Sequence, residues 1–306
     1  MTSTNSNISF QSKTATVRPG RSYKQVPTLS LRDYTAGTPE QKQKFVDDLF
    51  DALKYYGFII LKDHGVNTAM LDRAYQQLEQ LFELPEDTKR SYISKVGGNQ
   101  RGYTPFGKEH AKNAQVHDLK EFWHVGRPLP AGHKYESQFP ENIWPKEVHG
   151  FKETMLELYR SLDVVGDAML EALTGPLKVE KTYFKQMTQD GNSILRLLHY
   201  PPIPDSADPR CIRAAAHEDI NLITILVAAT TSGLELLDRD GQWLPVETDK
   251  NNLIVDAGDM LARITNDVIP STTHRVVNPA DGSNDHRYSM PFFIHPNPEA
   301  MLTCLP

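Results

Sequence analysis

The chain has 306 residues, 39% of them hydrophobic and 24% charged, and its 33 Lys and Arg against 39 Asp and Glu leave a net charge of -6. That balance, with no basic stripe, excludes a nucleic-acid or anionic-membrane footprint, and no apolar run approaches the roughly 20 residues that span a bilayer. Cys211 and Cys304 are the only cysteines, too few for a disulfide framework or a thiolate metal cluster, which points to a reducing, cytoplasmic setting.

Residues 1–32 lack Asp and Glu and are rich in Ser, Thr and Asn. Organellar transit peptides share that composition, but Met1 to Asn7 has no amphipathic pattern, so residues 1–25 read as a disordered or extended tail. Thr38-Pro39-Glu40-Gln41 predicts a capping box with proline at the first helical position. Phe45, Leu49, Leu53 and Tyr56 then mark one helical face, stopped by Gly57. Phe58 to Leu61 predicts a short buried strand ended by Asp63-His64-Gly65. A second helix starts near Asn67 and buries Met70, Ala74, Leu78 and Leu81, and Pro85 opens a further helical turn. Phe151, Met155, Leu158, Leu162, Val165, Met169 and Leu173 predict one long helix, closed by Gly175-Pro176.

After about residue 190, short apolar runs alternate with turn signals: 194–200, 220–227, 233–237, 243–246, 253–256, 274–277 and 288–294. Asp240-Gly241 predicts a hairpin between two of them. Strands gathered C-terminally and helices N-terminally give an α+β fold, with a β-sandwich or barrel-like roll and the long helix packed on the sheet.

Within that half, His217-Glu218-Asp219 leads into an apolar strand. On extended backbone His217 and Asp219 share a face and Glu218 points away. One imidazole and one carboxylate are two legs of a facial triad, which leaves positions open for co-substrate and O2 on non-haem Fe(II). With eleven histidines in the chain such a pair also arises by chance, and the plain alternative is a surface pair at a strand start. His274 begins a later strand and suits the third ligand; His286 is its rival. If Arg287 points inward, its neighbour His286 points out, which favours His274. Arg287 and Ser289 form a second same-face pair, a fork and a hydroxyl suited to a carboxylate, or else an ordinary surface strand.

Together these residues resemble the isopenicillin N synthase-like branch of Fe(II)/2-oxoglutarate dioxygenases, from Val26 to Pro298. The leader is similar in Gly57-Phe58, His64-Gly65-Val66, Leu84-Pro85-Glu86, Arg101-Gly102-Tyr103 and Asp118-Leu119-Lys120-Glu121. The core is similar in His217-Glu218-Asp219, Gly233-Leu234-Glu235, Gly258-Asp259, Thr265-Asn266, His274-Arg275-Val276, Arg287-x-Ser289 and Phe292-Phe293. The resemblance implies a double-stranded β-helix (jelly-roll) core wrapped by N-terminal helices, with 26–125 as helical leader and 126–306 as long helix plus β-helix, in one compact unit. It implies Fe(II) on His217, Asp219 and His274, and the distal carboxylate of 2-oxoglutarate on Arg287 and Ser289. Tyr200 falls where the family often contacts the co-substrate; the plant-type pattern there begins with Asn, and this chain carries Leu198.

The implied reaction uses O2 to hydroxylate, desaturate or cyclise a small molecule with release of succinate and CO2, ascorbate being a supporting reductant. Arg101, Tyr103, Phe122 and His124, in stretches that cover the active-site mouth of relatives, and Arg196 and Leu198, on the strand face of Tyr200, are the candidates for lining a substrate pocket. Arg101 or Arg196 suits an anionic or amino-acid-like substrate; the bland alternative is a structural salt bridge for each. Three other functions remain: an oxidase of the same fold that spares 2-oxoglutarate, a non-catalytic metal-binding β-roll, and a zinc hydrolase, which lacks its usual helical general base here. Oligomeric state is not legible.

Overall fold

In a computed structural model, residues 25–96, 98, 100–109, 116–279 and 283–305 are described. All but the last residue of the expected tail lies outside them, as does His110. After β1 (Thr28–Ser30) and α1 (Leu31–Thr35) comes α2 (Pro39–Tyr56), which starts on the expected capping box. The Thr38 hydroxyl accepts from the Gln41 N–H at 3.3 Å, and Gln41 Oε1 accepts from the Thr38 N–H at 2.9 Å. The helix stops where Gly57 adopts a left-handed φ of 68°. β2 (Phe58–Lys62) is buried but for its last residue, and α3 (Thr68–Phe82) is capped by the Asn67 side chain. α4 (Glu86–Ser91), β3 (Gly102–Thr104), β4 (Glu121–Gly126), the long α5 (Phe151–Thr174) and α6 (Tyr183–Thr188) complete the first half.

The second half holds β5 (Ile194–Tyr200), β6 (Ala214–His217), β7 (Ile223–Val227), β8 (Leu234–Leu237), β9 (Trp243–Pro245), β10 (Leu253–Ala257), α7 (Asp259–Ile264), β11 (His274–Val276) and β12 (Arg287–Ile294). The major sheet runs β1-β2-β10-β7-β12-β5-β4-β3 and the minor sheet β6-β11-β8-β9. β8 and β9 pair around the expected hairpin, with Gly241 at φ 75°. The strand expected at 220–227 begins only at Ile223. β6 and β7 belong to different sheets, so 218–222 must cross between them, and Ile220 is left 68% exposed.

Two apolar layers hold this α+β double-stranded β-helix together. One lies between the helices and the major sheet: Leu49, Leu53, Leu78, Met155 and Leu162 pack on Leu195, Leu197, Met290 and Phe292. The Tyr159 and Phe292 rings meet edge-on at 4.7 Å, seating α5 on the sheet as expected. A fully buried side chain of this kind contributes about 1.5–3 kcal/mol. The other layer lies between the sheets, where Phe58, Phe122, Leu198 and Tyr200 meet Ala214, Leu236 and Val276.

Strand alternation therefore sorts the inner face of the major sheet. Register lays it out in rows: Arg287 beside Tyr200, then Ser289–Leu198–Phe122, then Arg196–His124, then Phe293–Ile194–Gly126.

Candidate functional site

His217 ends β6 and His274 begins β11, and the two are direct cross-strand partners. Asp219 lies two residues past β6, in the crossing segment, where its carbonyl accepts from the Asp259 N–H at 2.7 Å. The three side chains converge: Asp219 Oδ1 is 3.9 Å from both His217 Nε2 and His274 Nε2, and one donor atom from each lies within 4.8 Å of the others. An ion about 2.1 Å from each of two donors sets them about 3.0–4.2 Å apart, from right-angle to opposite positions, and both 3.9 Å separations fall in that window.

The imidazoles are held ready for a metal. His217 Nδ1 meets the Ala215 carbonyl at 2.7 Å and His274 Nδ1 the Thr272 carbonyl at 3.1 Å. Each carbonyl keeps the proton on Nδ1, so Nε2 offers its lone pair to the common point. Burial, and then the neighbouring His274, lowers His217 to about 4, so it is neutral at physiological pH.

Asp219 is oriented just as firmly. Its second oxygen accepts from the Thr224 hydroxyl, which Asn221 Nδ2 approaches at 3.0 Å. Burial alone would raise its carboxyl, but His274, His217 and the Thr224 hydroxyl bring it below the ordinary range. Asp256, on β10, is pushed well above that range by burial and by the adjacent Asp219 charge. That shift favours the protonated form, whose O–H can donate to the adjacent Asp219 carboxylate. Gly258 closes this turn. A Cβ there would press on the Asn221 carbonyl oxygen and come within 2.8 Å of the Asp219 carbonyl. Gly258→Ala is thus expected to displace Asp219 and weaken Fe(II) binding about 10- to 100-fold, the range for a disturbed supporting shell; titration of the variant with Fe(II) under argon checks this.

Two cavities meet at the triad. The inner one is lined by His217, Asp219 and His274 at one end and by Tyr200, Leu198, Arg287 and Ser289 at the other. Arg287 is 2% exposed. Its Nε donates to the Thr231 and Ser232 carbonyls, both at 3.2 Å, and its guanidinium lies 5.0 Å from the Tyr200 ring centroid. Buried Arg287 Nη1 has no partner among the described residues, and a guanidinium nitrogen left open on the strand face of a serine hydroxyl suits a carboxylate. His286 points away, as expected, with Nδ1 2.7 Å from His199 Nε2 on the helix side of the sheet.

The outer cavity, of about 930 Å³, opens on the other side of His217 and Asp219 and includes Glu109, Lys120, His124, Arg196, Ile220 and Phe293. Arg196 and Lys120 border both cavities. Phe122 lines neither; it packs its ring against Arg196, 4.4 Å away.

Arg101 and Tyr103 do not join the pocket candidates. Arg101 is 1% exposed and binds Gln100 O and Asn192 Oδ1. It lies over Gly126, where any Cβ would collide with its guanidinium, and that close approach needs a glycine the sequence reading did not connect to it. Tyr103 pairs with Trp123 on the helix side, and its hydroxyl bonds Glu121 and Glu86. Strand alternation puts it behind the sheet. Sequence reasoning missed Glu109 and Asp256, and took Thr224 and Phe293 only as parts of the family pattern, with no role at the site. Asp118-Leu119-Lys120-Glu121 had been noted only as a family pattern: Asp118 Oδ1 accepts from the Ala215 N–H at 3.0 Å, and Lys120 bridges Asp118 and Glu109 at 2.8 Å each.

Comparison with known proteins identifies the family. Residues 26–147 match the family of N-terminal regions of non-haem dioxygenases in morphine synthesis, and residues 191–296 the 2OG-Fe(II) oxygenase superfamily. The 2-oxoglutarate-Fe(II) type oxidoreductase hxnY of Emericella nidulans is 30% identical, over 92% of this chain and 82% of its own length. A 2OG-Fe(II) oxygenase family protein from Caulobacter crescentus superposes with a TM-score of 0.82 at 45% identity, covering 92% of this chain and 89% of its own. A Neurospora crassa protein solved in complex with alpha-KG gives 0.80 at 28% identity, covering 92% and 88%. The chain belongs to the Fe(II)/2-oxoglutarate-dependent dioxygenases, with iron, 2-oxoglutarate and O2 as the reagents of its chemistry.

Proposed function

We propose that His217, Asp219 and His274 hold the Fe(II) of this dioxygenase, and that Arg287, Ser289 and Tyr200 hold 2-oxoglutarate in the inner cavity. A small-molecule substrate then enters by the outer one. The single observation that carries this reading is the convergence of the three donors at the junction of the two cavities, with an unfilled guanidinium at the far end of the inner one. Bound there, iron and co-substrate supply the oxidising equivalent for attack on a C–H bond, with succinate and CO2 as co-products.

The protein's part is to bind, orient and exclude water. The Ala215 and Thr272 carbonyls hold the imidazole protons on Nδ1, Thr224 and Asp256 hold the carboxylate, and Arg287 fixes the dicarboxylate's direction before the substrate arrives. Pro291 and Phe293 on β12, with Leu226 on β7, make the inner wall apolar and limit water near the metal.

Anaerobic titration of the metal-free protein with Fe(II) and then 2-oxoglutarate tests the reading. A visible charge-transfer band is expected only after the second addition. Iron binding with no band at saturating 2-oxoglutarate overturns the co-substrate assignment. A reducing, cytoplasmic location is supported by Cys211 and Cys304, both unpaired; no helix among the described residues is long and apolar enough to cross a membrane.

A further inference from the structure

The outer cavity has a polar centre whose bonding is only partly filled. Arg196 stands one register row beyond Ser289 and Leu198 on the inner face, toward the mouth. Its guanidinium is held between the Phe122 and Phe293 rings, at 4.4 and 5.2 Å from their centroids. Its Nε donates to His124 Nε2 at 2.7 Å and its Nη1 to Glu109 Oε2 at 3.3 Å. Among the described residues, nothing accepts from Nη2. Glu109 is complementary: Oε2 takes both Arg196 and Lys120, and Oε1 has no donor among the described residues.

The Glu109 main chain is anchored too, its carbonyl accepting from the Asp118 N–H at 3.0 Å. Burial would raise its carboxyl, but Arg196 and Lys120 beside it bring it down to about 2, so it is an acceptor at every working pH. An unused donor thus stands beside an unused acceptor, next to the metal ligands His217 and Asp219.

Charge decides what kind of molecule fits. Arg196 and Lys120 are offset by Glu109 and Asp118, and the same cavity also carries Glu218 and Asp259. Among the described side chains the paired charges cancel, and the two further carboxylates weigh against a free anion. This argues against the anionic substrate that an isolated Arg196 suggests. Ile194, Ala216, Ile220 and Phe293 supply the apolar part of the lining, and Gln100, Asn221 and His295 add neutral polar groups.

Resting on the functional reading above, we propose that the primary substrate is a neutral, planar heterocycle carrying a lactam edge. Its ring carbonyl accepts from Arg196 Nη2, its adjacent N–H donates to Glu109 Oε1, and its apolar edge faces Ile220 and Phe293. Arg196 and Glu109 are then the specificity-determining pair, and His124 is a positioning residue that fixes the guanidinium through Nε.

The test uses the full chain loaded anaerobically with Fe(II) and 2-oxoglutarate, the charge-transfer band first verifying that both are bound. Calorimetric titration then compares 2-pyridone, N-methyl-2-pyridone, which keeps the carbonyl and loses the donor, and benzoate, an anion of similar size. 2-Pyridone is expected to bind in the millimolar range that suits so small a ligand. N-methyl-2-pyridone and benzoate should bind at least about tenfold more weakly, since each forfeits a hydrogen bond to a charged group.

Arg196→Met should lose the 2-pyridone heat while keeping the charge-transfer band, and Arg196→Lys, which keeps the charge without the fork, should fall between. Benzoate binding as tightly as 2-pyridone, Arg196→Met binding it unchanged, or no 2-pyridone heat in an enzyme that shows the band each overturns the lactam proposal. Absence of the band fails the co-substrate assignment instead, so the two failures are distinct.

Discussion

Replacing His217 by alanine is expected to abolish succinate formation and to lower Fe(II) affinity by more than about 100-fold, beyond what loss of a supporting partner brings. The reason is geometric. His274 and Asp219, 3.9 Å apart in this chain, would be the two donors left, and two donors alone leave the ion open to water and to exchange. Asp219→Ala should be as damaging and for a further reason: it also removes the only negative charge among the three proposed ligands and leaves the Thr224 hydroxyl and the adjacent Asp256 without that carboxylate. Thr224→Val offers the contrast, with iron retained at reduced affinity. Anaerobic Fe(II) titration followed by succinate release at matched iron measures all three. Wild-type succinate release by His217→Ala would remove that residue from the ligand set.

Arg287→Lys is expected to raise the apparent KM for 2-oxoglutarate about tenfold with a much smaller change in kcat, because a point charge replaces a planar fork. Arg287→Leu should raise it further, about 30-fold or more, since truncating one partner of a buried, hydrogen-bonded charge pair costs about 2–5 kcal/mol. Arg287 is buried, and the other cations on the inner cavity are engaged elsewhere: Lys120 pairs with Glu109 and Asp118, and Arg196 with Glu109 and His124. Initial rates against 2-oxoglutarate at saturating iron separate the two parameters. A fall in kcat with an unchanged KM would mean that Arg287 does not hold the co-substrate.

Much of this centre was legible in the sequence because it follows short-range rules. The alternation of adjacent His286 and Arg287 favoured His274 over His286 as the third ligand, and His286 does turn to His199 behind the sheet. The capping box at Thr38, the left-handed Gly57 and the period of α5 are equally local and were read directly. What escaped depends on pairings between distant segments. No local signal says that His217 and His274 are cross-strand neighbours, or that Asp219 reaches them from a turn rather than a strand. Asp256 reads as part of a buried strand until β10 is laid against β7, where it faces Thr224. Arg101 and Tyr103 were assigned to the mouth because the stretches that carry them cover it in relatives. Burial against Gly126 in one case, and the opposite strand face in the other, put them elsewhere.

The insertion of the leader's own strands into the major sheet has a consequence for dissecting the molecule. β2 shields one flank of β10, and β4 shields one flank of β5. A fragment trimmed to the second family match, 191–296, would keep every proposed iron ligand yet bare two rows of backbone amides and carbonyls, an invitation to self-association. It would also shed Lys120 and Glu109. The N-terminal third is therefore masonry as much as wrapping, and catalysis and solubility are tied to it together.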